Sequence, residues 1–317
     1  MPYNAQLLKL LKNALAKRQV LRKNTNAIRL VNGRGDHLEG LVLEQYNRHF
    51  VAQVFISFWI RESLSLRDFL TEHFQVDYYI LKDRTSKGSL NHNAFNVQVL
   101  VEKADSKAMV CENSILFEVD LNNTLNTGLF LDMRNNRKFV GQSCKNQKVL
   151  NCFSYTCSFG AYARAYGAKG VINIDISQKI LDQGRRNYRL NQLTMAPHEF
   201  TRADAMVYLE RAVKKNNCFD VIILDPPSFA RTKENVFSVQ KDLARLIELA
   251  GRVLNKGGKI FVSTNLSGIS HLKLEQCLRA SSPRKDFKKI IRLGQDVDFV
   301  GSGRMKESHL SAVWVEY

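Results

Sequence analysis

The sequence predicts an α/β fold, a doubly wound and mostly parallel sheet with a C-terminal antiparallel strand, preceded by a smaller α+β domain. Three observations predict it. From about residue 147 onward, short apolar runs alternate with helical stretches. Before about residue 110 the texture is mixed, with turn residues breaking up brief apolar runs. At the end, stretches at 287–293 and 310–316 read as a closing antiparallel pair.

The chain opens on a basic segment: residues 1–35 hold eight Lys and Arg and no acid. Leu7, Leu11 and Leu15 recur at helical spacing, while Lys9, Lys12, Lys17 and Arg18 take other positions of the turn. That pattern predicts a basic amphipathic helix over 1–26, packed on the protein or lying on nucleic acid. Organellar transit peptides share this composition, but the helix is the plainer reading. Runs at 27–31, 40–43 and 51–56 predict strands, punctuated by Asn32-Gly33 and Gly35-Asp36. A helix over 61–74, a strand over 78–82 and a polar surface loop over 83–95 complete the module at 27–110, which shows no obvious chemistry. In the domain at 111–317, strands are expected at 148–153, 170–175, 200–204, 219–225 and 259–264. Helices are expected at 159–166, 178–190 and 236–253, the last closed by Asn255-Lys256-Gly257-Gly258. Continuous apolar runs this short are typical of strands buried on both faces.

Composition narrows the partners. A chain of 317 residues suits two domains, and with 44% hydrophobic residues it can bury a core. Against 30 Asp and Glu stand 47 Lys and Arg, a net charge of +17, which points to a polyanion such as RNA. A general solubility surface is the plainer alternative. No apolar run reaches about 18 residues, so no membrane partner is expected. Cysteines at 111, 144, 152, 157, 218 and 277 form no CxxC pair, so neither a metal site nor a redox dithiol is expected. With no signal peptide in view, a disulfide framework is not expected either, and the compartment is read as reducing and cytoplasmic.

In a doubly wound sheet the ligand sits beyond the carboxyl ends of the strands. There the first strand leads into Asn151-Cys152-Phe153-Ser154-Tyr155-Thr156-Cys157-Ser158, and the next ones end in Asp175, Asp204 and Asp225-Pro226-Pro227-Ser228-Phe229. Asp175 is placed to accept hydrogen bonds from a ribose diol. A single acid in such a place reads equally as a helix cap, whereas three on successive strand ends are harder to attribute to capping. The GxGxxG that admits a pyrophosphate is missing, which disfavours a dinucleotide. S-adenosylmethionine suits the crevice better, because its sulfonium needs no phosphate pocket. Pro226 and Pro227 hold the backbone extended, so that Asp225 and a carbonyl point at a planar substrate such as a base. Phe229 is available to stack on it. A stiff strand exit with a core Phe is the competing reading.

Around these residues the sequence resembles the bacterial large-subunit (23S) ribosomal RNA methyltransferases, the family of Rlm I and Rlm K/L. Thr127-Gly128-Leu129-Phe130-Leu131-Asp132-Met133-Arg134-Asn135-Asn136-Arg137 is similar to the family's TGxFLDxRxxR segment, and the turn from Asn151 to Thr156 to its cofactor turn. Asp175, Asp204 and Asp225-Pro226-Pro227-Ser228-Phe229 fall where its ribose, adenine and catalytic motifs fall. The resemblance covers roughly 28–317, including Arg29-Leu30-Val31 and Gly40-Leu41. It implies a Rossmann-like class I methyltransferase domain, a central RNA-binding domain, S-adenosylmethionine as cofactor, and 23S ribosomal RNA or a large-subunit precursor as partner. On this reading Asp175 holds the ribose and Asp204 the adenine amine. Asn151, Phe153, Ser154, Tyr155 and Thr156, with Asp132 and Arg134, surround the methionine end. Asp225, Pro226, Pro227 and Phe229 position a flipped-out base. The basic N-terminus and Arg284, Lys285, Lys288, Lys289, Arg292, Arg304 and Lys306 grip phosphates, with a solvated charged face as the plainer alternative.

Three departures qualify the resemblance. The PUA domain common in the Rlm I branch is expected to be absent, since few residues precede Ala27. Cys157 stands where the family has a glycine-containing turn, and a positive φ there would strain it. Methylation of cytosine C5 needs a thiolate, yet Phe261-Val262-Ser263-Thr264-Asn265-Leu266-Ser267-Gly268 carries no Cys and is more similar to the Rlm K branch, which methylates guanine N7. A ring nitrogen is therefore favoured over C5, with Cys152 and Cys157 read as small core residues. Two rivals stay open: an RNA-binding module with impaired catalysis, and a methyltransferase acting on something other than RNA.

Overall fold

The chain divides into two units, Met1–Leu131 with Asp296–Lys306, and Asp132–Gln295 with Glu307–Tyr317. The structure, a computed structural model, describes residues 5–85, 96–123, 126–231, 236–301 and 310–317. Most of the expected 83–95 loop, and Arg304 and Lys306, lie outside the described residues.

In the first unit, α1 (Ala5–Arg18) leads to β1 (Ala27–Asn32), β2 (Leu41–Tyr46) and β3 (His49–Val54). The crossover α2 (Ser57–Arg61) and α3 (Ser63–His73) delivers β4 (Tyr78–Asp83), and β5 (Val97–Glu102) follows. The sheet order is β1-β2-β3-β4-β5, antiparallel except for β3 and β4, which the helical crossover makes parallel. Leu30, Leu43, Phe50, Ala52 and Leu81 share one core with Leu11 and Ala14 of α1 and with Phe69 and Leu70 of α3. The N-terminal helix thus packs on this sheet, leaving Lys9 and Lys12 exposed.

Arg18 corrects the expected charge pattern. Positions 11, 14 and 18 share one helix face, so this cation points inward with the apolar residues. Its guanidinium forks onto both oxygens of Asp36 at 2.6 Å each, and also donates to the carbonyls of Arg29 and Asp298. Asp36 in turn accepts the backbone N–H of Asn32 at 2.8 Å.

The hairpin of β6 (Lys107–Glu112) and β7 (Ile115–Asp120) is stitched to this unit by main-chain bonds from Asn26 N–H to Cys111 O and from Asn113 N–H to Asn24 O. The domain boundary expected at 110/111 therefore falls inside β6, and the contacts divide the chain at 131/132 instead.

The second unit alternates as its apolar runs indicate. After α4 (Arg134–Gln142) come β8 (Lys148–Cys152), α5 (Ser158–Ala165), β9 (Gly170–Asp175), α6 (Gln178–Leu190), β10 (Phe200–Arg202), α7 (Ala205–Lys214) and β11 (Phe219–Leu224). A small ribbon of β12 (Phe229–Arg231) and β13 (Val236–Ser238) precedes α8 (Val239–Arg252), so this helix starts three residues later than its periodicity suggests. Then follow β14 (Leu254–Thr264), α9 (His271–Ser281), β15 (Lys289–Leu293) and β16 (Ser311–Glu316). The order is β10-β9-β8-β11-β14-β16-β15, parallel as far as β14 and antiparallel beyond. β14 begins earlier than expected because the turn at Gly257 (φ 73°) is absorbed as an irregularity in its pairing with β11. The central strands are buried on both faces. Leu150, Ile222, Leu224, Ile260 and Val262 pack toward α7, α8 and α9, while Val149, Val221, Ile223 and Phe261 pack toward α4 and α5.

Asp36→Ala leaves the Arg18 charge buried without its carboxylate, so a loss of about 3–5 kcal/mol is expected in urea unfolding. Lys9→Ala, on the exposed side of α1, is expected to stay within about 0.5 kcal/mol of wild type.

Candidate functional site

The parallel strands β8, β9 and β11 end beside one another, Cys152 lying opposite both Leu224 and Ile174, and in a sheet of this kind ligands bind beyond those ends. The loop after β8 is tightly wound. Phe153, Tyr155 and Cys157 have φ of 56°, 49° and 59°, a left-handed conformation that costs a non-glycine residue roughly 1–2 kcal/mol. Tertiary bonds hold it: Ser154 N–H donates to Ile174 O (2.9 Å), Tyr155 N–H to the Asp175 carboxylate (3.0 Å), and Asn187 Nδ2 to Thr156 O (3.0 Å). Cys157 does adopt the strained φ that its place in the sequence foreshadows. Its side chain is wholly buried against Gly184, where an added Cβ would come within 2.9 Å of the cysteine Cβ.

Asp175 spans two turns, taking Tyr155 N–H on one oxygen and Ser177 N–H on the other. Burial pushes its carboxyl above the usual carboxylate range, against the pull of these donors. Asp204 caps α7: one oxygen accepts Met206 and Val207 N–H at 2.9 and 3.1 Å, which realises the capping role. The side chain of Asn151 is buried rather than in the crevice; it donates to Asn173, which in turn donates to the Tyr188 hydroxyl. Thr156 is buried as well, and the Phe153 ring lies 5.2 Å from that of Phe237.

Asp225 leaves β11 half-buried, with Pro226 buried, Pro227 exposed and Phe229 61% exposed at the start of β12. An aromatic ring this open is available for stacking, and the core-Phe alternative does not hold. The Ser263 hydroxyl donates to Asp225 Oδ1 at 2.6 Å, and the Ser228 hydroxyl to Asn265 Oδ1 at 2.8 Å. Burial pushes the Asp225 carboxyl up to about 6; the Asp132 charge adds to the rise, while Ser263 and Arg137 oppose it. Asp132 thus lies within electrostatic reach of Asp225, and α4 contributes the buried Arg134 and Arg137.

Arg137, Ser263 and Gly184 belong to the site's framework although their roles were not assigned from sequence. Arg137 closes the segment that begins at Thr127, which is its only signal in sequence, and Ser263 lies in the cysteine-free stretch 261–268. The buried thiols are inert: desolvation pushes Cys157 up to about 12 and raises Cys152 further still.

Of the tail cations expected to hold phosphates, Arg284 donates to Leu254 O, Lys285 to Arg279 O, and Arg292 pairs with Glu275. Lys288 and Lys289 are exposed. Among the described residues, no helix is long and apolar enough to cross a membrane.

Residues 95–300 match the family described as S-adenosylmethionine-dependent methyltransferase. The chain is 35% identical over 210 residues to ribosomal RNA large subunit methyltransferase K of Neisseria meningitidis serogroup B, covering 66% of this chain and 58% of that protein. It is 31% identical to ribosomal RNA large subunit methyltransferase I of Aliivibrio fischeri, covering 86% of this chain and 68% of the relative. A crystal structure of a candidate methyltransferase complexed with SAH superposes with a TM-score of 0.86 at 26% identity, covering 100% of this chain and 83% of that one.

Gly184→Ala drives a methyl into Cys157 and is expected to cost about 1–3 kcal/mol and to weaken SAH binding. Adding Cys157→Gly should restore both, as thermal melts and calorimetric titration would show. Asp225→Asn tests the carboxyl. Asp225 holds its proton more tightly folded than unfolded, so its contribution to stability is complete below about 4 and is lost as pH rises through about 6. Asp225→Asn should therefore raise Tm relative to wild type at pH 8, and that gain should vanish at pH 4.

Proposed function

The chain belongs to the S-adenosylmethionine-dependent methyltransferase family, and from that premise we propose that it methylates a base of large-subunit ribosomal RNA, at a ring nitrogen of the guanine N7 kind. The donor set suits the cofactor. Asp175 offers carboxylate acceptors to a ribose diol, the second oxygen of Asp204 is an acceptor for the adenine amine, and the turn from Phe153 to Thr156 with Asp132 and Arg134 surrounds the methionine end. When bound, the cofactor supplies an electrophilic methyl group. Asp225, Pro226, Pro227 and Phe229 receive the substrate: the exposed Phe229 ring stacks on an extruded base, and the rigid Asp-Pro-Pro backbone orients its edge.

The observation that carries the choice of atom is the end of β14. Where C5 chemistry needs a thiolate, this strand presents Ser263, Thr264 and Asn265, two of them hydrogen-bonded to the Asp225–Ser228 loop. Cys152 and Cys157, in the neighbouring strand exit, are kept protonated by burial. Guanine N7 needs no such help, because it carries a lone pair and no proton, and correct placement suffices. The developing positive charge on the purine would meet the Asp225 carboxylate, which ionises above about 6. The excess of 47 Lys and Arg over 30 Asp and Glu supports an RNA partner, and its binding should weaken steeply with salt.

Methyl transfer from labelled S-adenosylmethionine to ribosomal RNA and to large-subunit precursors is the test. Wild type should label RNA, and Asp225→Ala should lower the rate by roughly 100-fold or more, as expected for a lost positioning group. Digestion of the product should place the label on N7-methylguanosine. Label on 5-methylcytidine would refute the nitrogen assignment, and absence of label from every RNA would refute the substrate class.

A further inference from the structure

Two side-chain hydrogen bonds fasten the loop after β11 to the end of β14. Leu224 pairs with Val262 in the parallel ladder, so the next residues of each strand, Asp225 and Ser263, emerge side by side. The Ser263 hydroxyl, on a fully buried residue, donates to Asp225 Oδ1 at 2.6 Å. Three residues along, the Ser228 hydroxyl donates to Asn265 Oδ1 at 2.8 Å. The bonds differ in what they hold: Ser228–Asn265 ties loop to strand without touching an ionisable group, whereas Ser263 grips the carboxyl itself.

We propose that Ser263 is a positioning residue for methyl transfer, its hydroxyl taking one oxygen of Asp225 and so holding the carboxylate in one orientation with the second oxygen reserved for the substrate. This rests on the assignment of Asp225 to substrate given above. A serine hydroxyl has one hydrogen to donate. The Leu224 carbonyl lies 3.4 Å from the same Oγ, so the shorter contact with the carboxylate takes the proton. A donated hydrogen bond stabilises the ionised acid, and it does so here alongside Arg137 and against both burial and the charge of Asp132. Ser263 therefore acts on both the direction and the ionisation of the carboxyl.

The experiment compares Ser263→Ala, Ser263→Thr and Asn265→Ala in the full chain. Carbon-13 NMR follows the carboxyl carbon of Asp225 against pH without cofactor or RNA, and methyl transfer to RNA is measured over the same range. In Ser263→Ala the titration midpoint should rise by roughly one unit. The acid limb of kcat should rise with it, and kcat should fall by about tenfold while KM for RNA changes little. Ser263→Thr, which keeps the hydroxyl, should restore both. Asn265→Ala should loosen the loop without moving the midpoint. An unmoved midpoint in Ser263→Ala, or an equal rise in Asn265→Ala, would overturn the proposal. The titration needs no turnover, so a wild type that labels no RNA would count against the substrate reading alone, and the Ser263 bond would still be judged by the midpoint.

Discussion

The turns at the strand ends keep their shape because the Asp175 carboxylate accepts one backbone N–H from the turn after β8 and another from the start of α6. Each belongs to a different strand-to-helix crossover, so one side chain sets the spacing between two loops that diverge in sequence. The loop after β8 could not stand alone, since three of its non-glycine residues sit at positive φ. Conformations of that kind persist only where the surroundings over-determine them. Here the surroundings are the Asp175 carboxylate, Ile174 O, the Asn187 amide, and the notch at Gly184 that receives Cys157.

Beneath this surface lies a layer of buried polar groups hydrogen-bonded to one another. Asn151 donates to Asn173, Asn173 to Tyr188 and to Glu199 O, and the Glu199 carboxylate accepts from Arg164 and from Val171 N–H. Such a network in a low-dielectric interior resists displacement, because moving a member strands a buried donor or acceptor. Asn151 thus serves the site as foundation, carrying the turn above it instead of touching a ligand.

Burial acts on the acids and thiols of the site in the same direction but leaves them in different states. Desolvation raises Asp225 and Cys157 alike, yet the carboxyl stops at about 6 while the thiol reaches about 12. Asp225 accepts from the Ser263 hydroxyl and the Cys157 thiol donates to Ser154 Oγ, but the thiol starts from a far higher value. The acid remains able to ionise near neutral pH and the thiols do not, which is the physical ground for preferring an atom that needs positioning over one that needs a covalent partner.

Much of this was legible from local pattern. The bounds of β9 and α6 match their expected ranges, and Asp175 and Asp225 stand at strand ends, whereas Asp204 falls two residues beyond β10 as the cap of α7. These signals survive in sequence because a strand buried on both faces and a ligand beyond its end both constrain contiguous residues. Arg18, Ser263 and Gly184 were not legible, since their partners Asp36, Asp225 and Cys157 lie 18, 38 and 27 residues away. Nor was the start of α8, where pairing with β12 captured three residues that periodicity alone assigns to the helix. Contiguous hydrophobicity and turn chemistry decided the class of fold, the parallel strands and the address of the crevice. Three-dimensional packing decided which acid caps a helix, which braces two loops and which faces Ser263, because hydrogen bonding and desolvation depend on neighbours that only the folded chain brings together.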